Sequence, residues 1–163
     1  MLGYNKLFLT AQESQWLQTY GKGTLAPNFA VLGEEPSVTT FQIAGKTVAV
    51  IGFPPLPVPE DGPSRSMRRA VLAAAEAVRP TAALVIGVSA WGRDYEEAFL
   101  PDAAESIDLL LGGGQGQGSQ GQYDPKGNTY WTRSFVNGKY LNIIELAAWP
   151  DTRARSRWGM DNP

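Results

Sequence analysis

Thr47–Phe53 reads TVAVIGF, and this stretch decides the fold. It carries no charge and is dominated by β-branched and apolar side chains. Such continuity is expected of a strand buried on both faces, as in a parallel sheet. Upstream, Thr39–Ile43 with Ala44-Gly45 at the turn predicts an antiparallel partner for it. Downstream, Arg65–Val78 predicts an amphipathic helix, since Met67, Val71, Ala74 and Val78 share one face. Ser64 is its expected N-cap and Pro80 its stop. Two further buried strands follow, Ala83–Val88 (ALVIGV) and Ile107–Leu111 (IDLLL). Tyr95–Leu100 and Asp102–Ser106 read as short helical turns between them.

Buried strands alternating with helices predict an α/β fold with a mixed, partly parallel sheet flanked by helices. Leu7–Thr10 is a short strand, and a helix over Glu13–Tyr20 ends at Gly21. Thr129–Phe135 and Tyr140–Leu146 are expected to pair antiparallel about Asn137-Gly138. The Pro-rich stretch 53–63 (FPPLPVPEDGP) is a loop, because proline fixes φ and removes an amide donor. The Gly/Gln tract 112–122 (GGGQGQGSQGQ) is read as a second loop inside the domain. Residues 1–150 form one α/β domain. Residues 151–163 form an Arg-rich extended or disordered tail.

Composition narrows the chemistry. The 163 residues contain no Cys and no His, which removes thiol nucleophiles, thiolate metal sites and His-based triads. A net charge of −2 provides no global attraction for nucleic acid or anionic lipid. No run reaches the roughly 18 apolar residues of a membrane-spanning helix, so no membrane insertion is expected.

Four segments, in order, carry a family resemblance. They are Gly3–Glu13 (GYNKLFLTAQE), Gly45–Phe53 (GKTVAVIGF), Ala82–Gly92 (AALVIGVSAWG) and Ile107–Gln117 (IDLLLGGGQGQ). Together with NGKYL at Asn137–Leu141, the chain resembles the calcineurin-like metallophosphoesterases of the 5'-nucleotidase and UDP-sugar hydrolase branch. That resemblance implies an incomplete α/β/β/α sandwich. In active members two divalent metals bridge the phosphate and activate a water. The departures fall on the ligands. The family's first two motifs, D-x-H and G-D-x-x-D, are absent. Thr10, Ala11 and Gln12 stand where Gly, Asn and His are expected, and Ala90 stands where the fourth motif has His. At the fifth motif the His positions become Gln115 and Gln117 with one inserted Gly, or Gly114 and Gly116 without it. Amide, methyl and hydrogen are poor substitutes for imidazole toward a transition metal.

The resemblance therefore implies a non-catalytic, metal-free and cofactor-free relative acting as a binding or scaffold module. Gln12, Ala90, Gln115 and Gln117 are its vestigial metal positions. Glu13, Trp91, Arg93, Asp108 and Gln120 are the candidate ligand-binding residues, for a small anionic or sugar ligand. Glu13 reads first as a helix-start acid and the Gly/Gln tract first as a relaxed loop, while Trp91 reads equally as loop packing. Two alternatives stand beside this reading. One is a hydrolase in which Glu13, Asp108 and the glutamine loop hold a hard cation. The other is a structural fragment of a larger nucleotidase-like protein. The missing first motifs imply an unpaired sheet flank, hence a homodimer or a neighbouring domain. The family also implies an exported, periplasmic bacterial protein, although no residue of the chain specifies a compartment.

Overall fold

The computed structural model describes residues 6–21, 27–124, 128–135 and 142–150. Its centre is a six-stranded mixed sheet in the order β3-β4-β5-β6-β8-β7. These strands are β3 (Ser37–Ile43), β4 (Lys46–Gly52), β5 (Leu84–Val88), β6 (Leu109–Gly112), β7 (Ser119–Tyr123) and β8 (Tyr130–Arg133). Strands β4, β5, β6 and β8 run parallel, while β3 and β7 are antiparallel edges. A separate two-stranded parallel sheet pairs β1 (Leu7–Leu9) with β2 (Phe29–Val31). Helix α1 (Ala11–Tyr20) connects these two short strands.

The expected hairpin forms about Ala44-Gly45, where φ is +50° and +74°. Positive φ at both central residues is the mirror-image turn that suits the twist of paired strands. Helix α2 (Arg65–Val78) starts at Ser64, whose hydroxyl accepts the Met67 N–H at 3.2 Å. It buries Val71 and Ala75 against the sheet. Helix α3 (Arg93–Ala103) adds Phe99, Leu100 and Ala103 to the same core, which includes Ala49, Ile51, Val85, Leu110 and Trp131. On the other face of the sheet Val48, Leu84 and Leu109 cluster with Val50, Ile86, Tyr130 and Trp149. Among the described residues no helix is long and apolar enough to cross a membrane.

Three expectations need correction. Tyr95–Leu100 and Asp102–Ser106 are not separate turns, because α3 runs through Pro101. Pro101 removes one amide donor near the carboxyl end, and burial of Phe99, Leu100 and Ala103 around it keeps the last turn helical. The Gly/Gln tract is not all loop, since its end becomes β7. That strand, and not Tyr140–Leu146, is the antiparallel partner of β8. With β6 on its other side, β8 has no edge left for a second hairpin. Residues 142–146 carry no strand, while the Asn137-Gly138 turn lies outside the described residues. Strand β2 was not foreseen. The tail over 151–163 and the GYN and NGKYL segments lie outside the described residues as well.

At the amino-terminal ends of the parallel strands, Asp108 crosslinks the sheet. Its carboxylate accepts the Val85 N–H at 2.8 Å and pairs with Arg79 at 2.7 Å, while remaining 1% exposed. Removing one member of such a buried set strands the other. Asp108→Ala is expected to destabilise the fold by about 3 kcal/mol, read as a lower urea midpoint with an unchanged slope.

Candidate functional site

Strands β4, β5 and β6 end side by side, and ligand clefts of open α/β sheets form beyond such carboxyl ends. The loops leaving these strands and the start of α1 enclose a cleft of about 750 Å³. Pro55 and Leu56 come from the Pro-rich loop, which makes only one 3-10 turn at Pro59–Asp61. Ala90, Trp91 and Arg93 come from the β5–α3 loop, Gly114, Gln115 and Gly116 from the loop after β6, and Gln12 from α1.

The path of the Gly/Gln loop depends on missing side chains. Gly114 and Gly116 have φ of +71° and +104°, a region L-residues rarely adopt. A Cβ on Gly114 would lie 2.3 Å from the Ala90 carbonyl oxygen. The loop is tied to α3 where the Arg93 N–H donates to the Gln115 carbonyl at 2.9 Å.

Beneath the loop lies a buried charge pair absent from the sequence-based candidates. Arg133 is 1% exposed and ion-paired with Glu96, which is fully buried. The Arg133 Nη2 donates to the carbonyls of Gly113 and Gln115, both at 2.8 Å, and of Gly114 at 3.3 Å. Its Nε donates to the Gln117 carbonyl at 3.2 Å. Glu96 in turn accepts the Gly113 N–H at 3.2 Å and the Trp131 indole N–H at 3.1 Å. Burial pushes the Glu96 carboxyl above its ordinary value, against the opposing pull of Arg133 and hydrogen bonds from Arg133, Trp131 and Ser89. One signal was available. Glu96 is in phase with Phe99, Leu100 and Ala103, so it falls on the buried stripe of α3.

The structure brings some of the expected site residues together and separates others. Gln12, Ala90, Gln115, Trp91 and Arg93 all line the cleft. Gln117 does not, and its carbonyl is held by Arg133. Both Gly114 and Gly116 line it. Trp91 is a core anchor whose edge reaches the cleft. It is 2% exposed, packs its ring 4.8 Å from Phe53 and 5.4 Å from Phe99, and donates its indole N–H to Pro54 at 2.7 Å. Glu13 closes a reciprocal cap on α1. Its carboxylate accepts the Thr10 N–H at 2.7 Å, and the Thr10 hydroxyl accepts the Glu13 N–H at 3.2 Å. Asp108 lies at the opposite end of the sheet, in the crosslink described above. Gln120 sits exposed on β7, with its carbonyl accepting the Tyr130 hydroxyl at 3.2 Å.

The donor set of the cleft does not fit a pair of divalent cations. Neutral amides from Gln12 and Gln115 and the methyl group of Ala90 line it, and none of these is a strong ligand for a transition metal. Among the described residues no three acidic, His or Cys side chains cluster to hold a metal. The charged residues lining the cleft are Glu60, Arg93 and Asp94.

The fold is similar to that of a solved structure, the crystal structure of a hypothetical protein from Thermus thermophilus. The two share 13% identity with a TM-score of 0.54, over 83% of this chain and 56% of that one. This chain thus spans a little over half the length of that protein, and the likeness at this identity concerns the fold alone. No protein-family model and no curated protein matches the sequence.

The buried pair generates two predictions. Arg133→Met leaves the Glu96 carboxylate unpaired and releases the loop carbonyls, so it is expected to cost about 3–5 kcal/mol. The double change Glu96→Leu with Arg133→Met should cost less than the sum of the single ones in denaturant titrations. The second concerns pH. Between the ordinary glutamate value and the raised one, the folded chain binds more protons than the unfolded chain. Stability contributed through Glu96 therefore falls as pH rises across that window. The stability difference between wild type and Glu96→Gln, measured by urea unfolding at a series of pH values, should shrink or reverse in that direction.

Proposed function

We propose that the chain is a non-catalytic binding module on a metallophosphoesterase-like scaffold, with the cleft as a metal-independent ligand site. The observation that supports this most is spatial. Gln12, Ala90 and, depending on the alignment of the fifth motif, Gln115 or Gly114 are distant in sequence and stand where the resembled family places imidazoles, yet all of them line one cleft. A retained pocket at the carboxyl ends of parallel strands, lined by neutral groups in place of metal ligands, suits ligand capture without hydrolysis.

The lining favours a small polar ligand of the sugar or anionic class. Gln12 and Gln115 offer amide donors and acceptors, and Arg93 offers a guanidinium. Glu60 and Asp94 offset that cation, which favours a hydroxyl-rich ligand over a highly charged one. The competing hydrolase, with a hard cation on Glu13, Asp108 and the glutamine loop, needs residues that lie apart. Glu13 is used in a helix cap and Asp108 in a crosslink at the far end of the sheet.

Thermal-shift titration with monosaccharides, nucleotide sugars and nucleotides tests the proposal. Free ligand at 100 times its dissociation constant stabilises the fold by about 2.7 kcal/mol. The expected result is a rise in Tm that chelator does not remove and that Gln115→Ala weakens. Phosphoesterase turnover abolished by chelator, or two equivalents of Mn, Zn or Fe in elemental analysis, would overturn it.

A further inference from the structure

We propose that the chain forms a twofold homodimer by antiparallel pairing of β3 with β3 of a second copy, in a register centred on Thr40. This surface is distinct from the cleft. Strand β3 is an outer strand of the sheet, and its pairing with β4 runs without a bulge from Ser37↔Gly52 to Ile43↔Lys46. Natural edge strands are usually blunted by charge, proline, bulge or brevity. This one has none of those within its span. It is seven residues long, and its sequence SVTTFQI is uncharged and rich in β-branched side chains.

The turn geometry determines which backbone groups face outward. In a two-residue mirror-image hairpin the flanking pair, Ile43 and Lys46, exchanges hydrogen bonds. Alternation then directs the amides of Phe41, Thr39 and Ser37 inward to β4, and those of Val38, Thr40 and Gln42 outward. These outward groups are symmetric about Thr40. Antiparallel apposition pairs Thr40 with Thr40 of the second copy, and Val38 with its Gln42, so every outward N–H and C=O gains a partner. The neighbouring registers are poorer. A slip one way sets Gln42 against Pro36, which has no N–H, and a slip the other way runs Val38 into the Ala44–Gly45 turn.

Two further features favour a second copy as the occupant. Between Glu35 and Lys46 the chain has no charge. Antiparallel pairing brings Glu34 and Glu35 of one copy to the Ala44–Lys46 turn of the other, so acid approaches base at both ends. Pairing also covers exposed apolar side chains. Val38 and Ile43 are 44% and 48% exposed, and in this register they lie beside Gln42 and Ser37 of the second copy.

The test uses the full chain. Light scattering coupled to chromatography should return twice the single-chain mass of 17.6 kDa for the wild type. Thr40→Pro removes an outward N–H without touching the β4 ladder, and Thr40→Lys sets like charges face to face. Both should return the single-chain mass with unchanged circular dichroism. Register is read by crosslinking, since the chain has no cysteine of its own. Directly opposite residues have Cβ atoms about 5 Å apart, so Thr40→Cys should oxidise to a covalent dimer. Val38→Cys, facing Gln42, should not. A wild type of single-chain mass at its highest soluble concentration, a dimer that survives Thr40→Pro, or Val38→Cys crosslinking as readily as Thr40→Cys would overturn the proposal.

Discussion

The ion pair between Arg133 and Glu96 holds the carboxyl end of the sheet together. Arg133 is the last residue of β8, and Glu96 lies in the first turn of α3. Between them passes the loop leaving β6. A guanidinium presents several donors in a fixed planar fork, and here that fork gathers the carbonyls of Gly113, Gly114, Gln115 and Gln117. Glycine-rich backbone has little intrinsic preference for one path. A buried cation receiving its carbonyls imposes one.

That constraint also shapes the cleft. The loop cannot drop into the space below it, because Arg133, Glu96 and Trp131 fill that space. It is instead pressed toward Ala90 and Arg93, where Gly114 and Gly116 allow close contact that a Cβ would forbid. Trp91, which lines the cleft, is backed in the core by the rings of Phe53 and Phe99. Most of the cleft's lining comes from loops, and α1, the 3-10 turn and α3 supply the rest. The polar network is satisfied by mutual hydrogen bonding, which is what makes burial of two charges tolerable.

The two ends of the parallel strands divide the labour. At the amino ends, Asp108 and Arg79 tie β5, β6 and α2 into a crosslink. At the carboxyl ends, the loops diverge and leave space. Strands β3 and β7 are the two edges of the sheet, and β3 is the longer of them.

The local elements were legible because their signals are local. TVAVIGF and ALVIGV declared buried strands by continuous runs without charge, IDLLL did so by its leucines, and Ser64 with the stripe through Val71 declared α2. Ala44-Gly45 announced its turn. Gln12, Ala90 and Gln115 line one cleft because the fold brings three loops and a helix start together. Tertiary structure decided the rest, since those outcomes depend on partners distant in the chain. β7 forms from a Gly/Gln tract because β8 offers a free edge, and α3 continues through Pro101 because its far side is buried. Glu96 and Arg133 are 37 residues apart. Arg133 alone reads as a surface charge and Glu96 only as an acid on the apolar stripe of α3, and only the fold places them face to face out of water.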